Sequence, residues 1–261
     1  MVAPALSPRW RRRRLAVCSS TELELDRWLR ELGPEPDLSH SGLVVVARRQ
    51  RHGRGQWGRS WHSPPGGLWL SAALHWPADP TAGAPLALAA ALGLALQLEQ
   101  LGLKPTIKWP NDLLIDGRKV AGVLPRLRLQ RGRVRWAQLG IGLNGSNRPP
   151  AGAVSLAQAL GARGALGERV PAGRRWLRRR FHPQAQPHLL LPRVLEAIGW
   201  AQSHADDPAT VLQQVEQRLH VPASGWVHEG MRWQVLGLAQ GGGLRLQRGD
   251  AQLVLSRSIR A

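Results

Sequence analysis

The chain has 261 residues, enough for one domain of moderate size with a small appendage and for a sizeable buried core. Its 36 basic and 17 acidic side chains give a formal charge of +19, which suits acidic partners, nucleic acid among them, although a general bias toward arginine accounts for the same excess. A single cysteine, Cys18, excludes a disulfide framework and a cysteine-based metal site and fits a reducing cytoplasm, while the longest apolar run, residues 84–96, contains Pro85 and Gly93 and is too short for a membrane span.

Arg9 and arginines 11–14 open the chain like the basic region of an export signal. The apolar run that follows, residues 15–18, is only four residues long and ends in Ser19, Ser20, Thr21 and Glu22, so it reads as a short strand and not as a signal. Residues 1–14 are thus expected to form a basic extension. Ser20 or Thr21 caps a helix over 22–32, with Leu25, Trp28, Leu29 and Leu32 at helical spacing. A fully apolar strand at 43–47 is expected to be central. A Gly/Arg/Pro loop over 48–67 leads to a strand at 68–74, and residues 85–101 form a helix too apolar to be exposed on any face. A strand at 106–109 enters Pro110-Asn111-Asp112. Asp116-Gly117 is a two-residue hairpin turn between strands 113–115 and 119–124, and a further turn at 131–133 opens a strand at 134–141.

Beyond Gly145 the chain becomes helical and arginine-rich. A Pro/Gln/His loop at 182–188 precedes amphipathic helices at 190–203 and 209–219. From Pro222 onward four short strands alternate with Gly-rich turns, at 225–228, 232–238, 244–247 and 252–255. The expected organisation is an α/β catalytic domain over 15–220 and a small all-β domain over 221–261.

Three segments carry chemistry. Gln50-Arg51-His52-Gly53-Arg54-Gly55-Gln56-Trp57-Gly58-Arg59 places three glycines and three arginines in one loop. Glycines admit close backbone approach to a ligand and arginines bind phosphate or carboxylate, although a solvated basic loop has the same composition. Its Gly-x-Gly opens no helix, so it is not a dinucleotide fingerprint. The second segment is Lys108-Trp109-Pro110-Asn111-Asp112 with Lys119-Val120-Ala121-Gly122. A two-residue turn at Asp116-Gly117 pairs Leu114 with Lys119 and Asp112 with Ala121. Asp112 and Lys119 then lie diagonally on one face, roughly 7–8 Å apart at the backbone, as they also would in an ordinary hairpin with an ion pair. The third, Gly140-Ile141-Gly142-Leu143-Asn144, ends an apolar strand either in a ligand contact or in a plain turn. Only three lysines and three asparagines occur in the chain, and two of each fall in these segments; arginine cannot replace lysine where a compact ammonium must fit a crowded site. The histidines show no metal-ligand spacing, and neither Ser63 nor Ser71 has a base–acid pair around it.

In order and spacing these segments resemble the biotin–protein ligase family. Gly53-Arg54-Gly55-Gln56-Trp57-Gly58-Arg59-Ser60-Trp61-His62-Ser63-Pro64 is similar to its glycine/arginine loop, Lys108-Trp109-Pro110-Asn111-Asp112 to its Lys-Trp-Pro-Asn-Asp, Lys119-Val120-Ala121-Gly122 to its Lys-x-Ala-Gly and Gly140–Asn144 to its Gly-x-Gly-x-Asn. The resemblance covers residues 15–160 well, the C-terminal module loosely and the stretch between weakly. It implies a mixed sheet flanked by helices, like the catalytic domain of class II aminoacyl-tRNA synthetases, with a small SH3-like β-barrel. It further implies formation of biotinyl-5′-adenylate from ATP and biotin, then biotin transfer to a lysine of a biotin carboxyl carrier protein or domain.

The resemblance also implies roles. Lys119 and Arg54 are the catalytic pair. Ser20, Thr21, Gln50, Gly53, Arg54, Gly55, Gln56, Lys119, Gly122, Gly140 and Gly142 line the biotin site. Arg54, Lys108, Asn111 and Asn144 serve ATP, and Asp112 holds Mg2+. Two positions depart from the family: Glu22 stands where an asparagine is usual, and Gln56 where arginine is frequent, so adenylate is expected to be held less firmly. The fourteen residues before the expected first strand are too few for a helix-turn-helix, so no sequence-specific DNA binding is expected. Neither is a membrane association, and a homodimer is left open. The competing readings are a lipoate–protein ligase-like enzyme and, from charge alone, a basic nucleic-acid-binding module.

Overall fold

The computed structural model describes residues 9–79, 85–164 and 182–256. Seven strands form one mixed sheet in the order β1-β2-β5-β9-β8-β7-β6. β1 (Arg9–Cys18) pairs parallel with β2 (Ser41–Gln50), and every other pairing in the sheet is antiparallel. The first strand therefore begins at Arg9, and arginines 11–14 sit in an edge strand, not in an extension. Their exposure hides the strand from hydropathy: an edge needs no apolar face, and charge guards it against stray pairing. The apolar strand expected to be central, now β2, is second from that edge.

α1 (Thr21–Glu31) covers one face of the sheet. Ser20 caps it by accepting from the Glu22 N–H, and Leu25, Trp28 and Leu29 pack on Leu43, Val45, Ala73 and Trp136. The other face belongs to α2 (Leu86–Glu99) and α4 (Pro187–Ser203), with the short α3 (Leu156–Gly164) and α5 (Pro208–Glu216) beside them. α2 is buried over its length, as its composition requires, and crosses α4 so closely that a Cβ at Gly93 would collide with the Ala197 carbonyl. The expected loop at 182–188 contains a 3-10 turn, Pro183–Ala185, and the start of α4, because Pro187 occupies the first turn of that helix, where its missing N–H costs nothing. The arginine cluster at 174–180 lies outside the described residues.

β5 (Leu68–Leu74) is buried at every position. β6 (Thr106–Lys108), β7 (Asp112–Ile115), β8 (Arg118–Gln130) and β9 (Arg133–Leu143) complete the sheet. The β7–β8 turn is as expected, with Asp116 and Gly117 at φ 49° and 71°. The register is not. A bulge at Val120 shifts the pairing by one, so Asp112 faces Gly122 and not Ala121.

A second sheet stands where the small all-β domain was expected. It is a four-stranded antiparallel meander of β10 (Trp226–His228), β11 (Met231–Leu238), β12 (Leu244–Arg248) and β13 (Ala251–Leu255). Its Trp233, Leu238, Leu244 and Leu246 join the same core as α2 and α4. Two further ties hold it. Glu216 accepts from the Leu238 N–H at 2.6 Å, and the Trp109 indole N–H donates to the Gly242 carbonyl at 2.8 Å. Between the sheets, Ile107 exchanges backbone bonds with Arg218 and His220 at 2.7 and 2.8 Å. Among the described residues no helix is long and apolar enough to cross a membrane.

The His220 imidazole beside this joint is held below its ordinary pKa, first by burial and then by the charge of Lys108. The folded state thus favours the neutral ring. That contribution is full above the ordinary histidine value of about 6.5 and is lost as pH falls through it toward the lowered one. Between about pH 7 and about pH 5 the melting temperature is expected to drop less in His220→Gln than in the parent chain, read by circular dichroism; equal drops would remove His220 as the cause.

Candidate active site

A cavity of about 350 Å3 opens where the C-terminal end of β2, the glycine/arginine loop, the middle of β8 and the C-terminal end of β9 meet. Its floor is made by pairing. Gly122 and Gly142 lie directly opposite one another on β8 and β9. The indole of Trp61 rests on both: a Cβ at Gly142 would collide with its ring, and one at Gly122 would come within 3.0 Å of it, 3.2 Å of Asp112 Oδ1 and 3.3 Å of Lys119 Cε. The glycines are therefore required by close approach and not by a turn.

Lys119 stands at one side of this floor. Its Nζ is 2.7 Å from Asp112 Oδ1 and 4.8 Å from the centre of the Trp61 ring. Its backbone is fixed on two sides, opposite Leu114 in the hairpin and through its carbonyl, which accepts from the Val154 N–H at 3.0 Å. The shared face expected for Asp112 and Lys119 is present despite the shifted register. The result is a compact cation whose position is set by a carboxylate and an aromatic face.

The deep end is polar and neutral. The Thr21 N–H and hydroxyl both donate to Gln50 Oε1, at 2.8 and 3.0 Å, and the Thr21 hydroxyl is 2.9 Å from that of Ser71. Gln50 Nε2 donates to Ser63 Oγ at 2.8 Å, which donates to the Trp61 carbonyl at 3.1 Å. This chain of bonds sets the orientation of each amide and hydroxyl before any ligand arrives. Glu22 also lines the cavity, but its carboxylate turns to Arg126 at 2.6 Å, a guanidinium shared with Asp26 at 3.3 Å. The acid at the position where asparagine is usual is thus neutralised by an arginine of β8.

The outer end is cationic and aromatic. Arg54, Arg59 and Lys108 line it with Trp57, Trp109 and Trp226. The loop above is ordered by a two-rung ladder, Gly53 with Trp61 and Arg54 with Ser60, around a 3-10 turn at Gln56–Gly58. Trp57 sits at φ 61°, a left-handed conformation unusual for a side chain of its size, and is 64% exposed.

Ser20, Thr21, Gln50, Arg54, Gly55, Gln56, Lys108, Asn111, Asp112, Lys119, Gly122, Gly140 and Gly142 all line the cavity. Two residues expected there do not. Gly53 lies behind the loop, where a Cβ would collide with the Trp61 carbonyl. Asn144 is 3% exposed; its Oδ1 accepts from Asn147 at 3.0 Å, and its backbone joins Val120 to the start of α3, so it braces the loop after β9. Asn111 reaches the cavity while its amide donates to the Val123 carbonyl and its own carbonyl accepts from the Val123 N–H at 2.9 Å. Sequence reasoning passed over Ser71, Trp61 and Trp226 as site residues. Strand alternation opposite Gly140 marks Ser71, and the glycine pair calls for a flat cover such as Trp61. Nothing local marks Trp226, which arrives from the second sheet.

Among the described residues no group of three or more His, Cys, Asp or Glu gathers to hold a metal. Cys18 is buried beside the site, and burial, followed by Glu24, pushes its thiol up to about 11, so it supplies no thiolate.

Residues 34–144 match the model of the biotin/lipoate A/B protein ligase family. Over 136 residues, 51% of this chain and 40% of the relative, the chain is 38% identical to the bifunctional ligase/repressor BirA of Bacillus subtilis. Over 125 residues, 46% of this chain and 50% of the relative, it is 40% identical to a biotin–[acetyl-CoA-carboxylase] ligase of Paracoccus denitrificans. The chain thus spans about half or less of the length of these curated relatives. In fold it is similar to a biotin protein ligase of Aquifex aeolicus in complex with biotin and ATP, with a TM-score of 0.61, 23% identity and 94% of each chain covered. The match to the family model, over less than half of the chain, takes in all four motifs in order.

Proposed function

We propose that the protein is an ATP-dependent biotin–protein ligase, forming biotinyl-5′-adenylate and passing biotin to a lysine of a carboxylase carrier domain. The observation that carries this reading is a single cavity with two unlike ends and Lys119 held on its floor by Asp112 and Trp61. The neutral end of Thr21, Gln50 and Ser71 suits an uncharged ureido ring, which both donates and accepts. The cationic end of Arg54, Arg59 and Lys108 suits a triphosphate. Lys119 sits where the biotin carboxylate and the α-phosphate must meet. Two anions repel, and holding both against fixed cations in a partly closed site lowers the barrier by positioning and charge stabilisation. The relatives named as ligases and the Aquifex protein solved with biotin and ATP support the same reading.

Asp112 is the one cavity carboxylate near both Lys108 and Lys119, since Glu22 is occupied by Arg126. A single carboxylate fits Mg2+ carried in on ATP phosphates, where the phosphates supply the remaining charged oxygens. When bound, the metal would supply charge neutralisation at the phosphates. Asp112 would hold it and in doing so loosen its grip on Lys119.

Biotin-dependent exchange of pyrophosphate into ATP tests the reading. Exchange driven by lipoate in place of biotin would favour the other branch of the family, and no exchange with either would remove the activity. Gly142→Ala tests the floor, since the added methyl displaces Trp61. The KM for biotin is expected to rise about tenfold, at the lower end of an overpacking cost of about 1–3 kcal/mol, with little loss of fold; an unchanged KM would place biotin elsewhere.

A further inference from the structure

The glycine/arginine loop has a second side. Behind it lies an open hollow of about 730 Å3, bounded by the end of β2, by Arg51 and His52, and by the segment running from Arg59 to Pro65. Arg49, Arg51, Arg54 and Arg59 line it with His52 and His62, and no acidic side chain does. Its frame is fixed. The Arg51 N–H donates to the Cys18 carbonyl at 3.0 Å and the His52 N–H to that of Ser19 at 2.8 Å. The His52 ring Nδ1 lies 3.2 Å from Ser19 Oγ, and the Gln50 N–H donates to the Ser63 carbonyl at 3.2 Å.

What sets these arginines apart is that four of them line one hollow with no carboxylate among them. Arg13, Arg27, Arg126 and Arg218 each meet a glutamate within 2.7 Å. Among the described residues none of the four in the hollow is paired with a carboxylate. Four guanidiniums lining one space without a carboxylate repel one another until an anion enters, and such a concentration of cationic forks suits a compact, multiply charged anion better than singly charged carboxylates. The wall between this hollow and the main cavity is one ribbon thick: Arg54, Arg59, Ser60 and Trp61 line both.

We infer that the hollow is a second anion site and that it takes pyrophosphate. The inference rests on the activity proposed above. In that reaction a biotin carboxylate oxygen bonds to the α-phosphorus of ATP while the bond from that phosphorus to the bridging oxygen breaks. Pyrophosphate leaves with the electron pair. Arg54 and Arg59 face both spaces, so the departing anion meets them first and then Arg49 and Arg51, which the cavity does not share. The hollow draws the product away from the adenylate and delays the reverse reaction.

Calorimetric titration of the full chain with sodium pyrophosphate, in the absence of biotin and ATP, tests this. The comparison variant is Arg49→Gln/Arg51→Gln, both at exposed positions outside the main cavity. Its Kd for pyrophosphate is expected to rise at least about tenfold, as loss of two charge-assisted contacts requires. Its biotin Kd should be unchanged, and inhibition of adenylate formation by added pyrophosphate should weaken by the same factor. Arg51→Lys, which keeps the charge and loses the fork, is expected to fall between. An unchanged pyrophosphate Kd in the double variant would overturn the inference, as would tighter binding of a hexaglutamate peptide than of pyrophosphate. A parent chain without exchange activity whose pyrophosphate affinity still depends on Arg49 and Arg51 would support the site and count against the ligase reading.

Discussion

Replacing Lys119 by arginine is expected to abolish biotin-dependent exchange, with a fall of about a hundredfold to a thousandfold, although the charge is retained. The reason is room. The ammonium is 2.7 Å from Asp112 and 4.8 Å from the Trp61 ring, and its Cε stands within contact of the space above Gly122. A planar guanidinium cannot take that place without moving Trp61 off the paired glycines or breaking the contact with Asp112. Both carboxylate and phosphate would then meet a displaced cation, so kcat should fall more than substrate affinity. Near-normal exchange in Lys119→Arg would take the central role away from Lys119 and leave Arg54 as the principal cation. The scarcity of lysine in this chain, three among 36 basic side chains, gives the substitution its meaning.

The second large effect is on stability. Trp69 on β5 is fully buried, its indole N–H donates to the Pro64 carbonyl at 2.8 Å, and its ring meets that of Trp61 edge-on at 6.5 Å. Trp69→Ala is expected to cost about 3–5 kcal/mol, a large share of the stability of a domain this size. The loss has two parts, a cavity at the centre of the sheet and an unanchored end of the glycine/arginine loop. Trp69→Phe separates them, since it restores most of the volume and none of the hydrogen bond, worth about 1 kcal/mol. Chemical denaturation measures both. A Trp69→Ala midpoint close to the parent's would mean that the sheet closes over the void without cost.

The sequence displayed the apolar elements and much of the site, each for an identifiable reason. β5 and α2 were legible because burial on all sides leaves continuous apolar runs. The β7–β8 turn was legible because Asp-Gly has few other uses between two strands. β1 was half hidden, because an exposed edge of arginines has no hydropathic signature. The bulge at Val120 was hidden as well, because a one-residue register shift depends on what packs against both strands and leaves the local pattern unchanged. In the site, the motif residues were readable one by one, and most of them meet. What could not be read was the cover and the far wall: that Trp61 lies on two paired glycines, and that Trp226 comes from another sheet. Asn144 reads the other way: a rare asparagine at the end of a Gly-x-Gly strand looks like a ligand contact, and in the structure it is 3% exposed and bonded to Asn147.

The bond from the Trp109 indole to Gly242, with the Ile107 ladder and Trp226 in the cavity wall, makes the two sheets partners in one equilibrium. Whatever affinity a nucleotide draws from contact with Trp226 is returned, by thermodynamic reciprocity, as tighter seating of the small sheet. Seating the small sheet in turn fixes Trp109 next to Lys108, before any nucleotide is present. The appendage is thus an effector that never dissociates, tethered to the larger sheet and present at an effective concentration set by the few residues between Leu219 and Trp226.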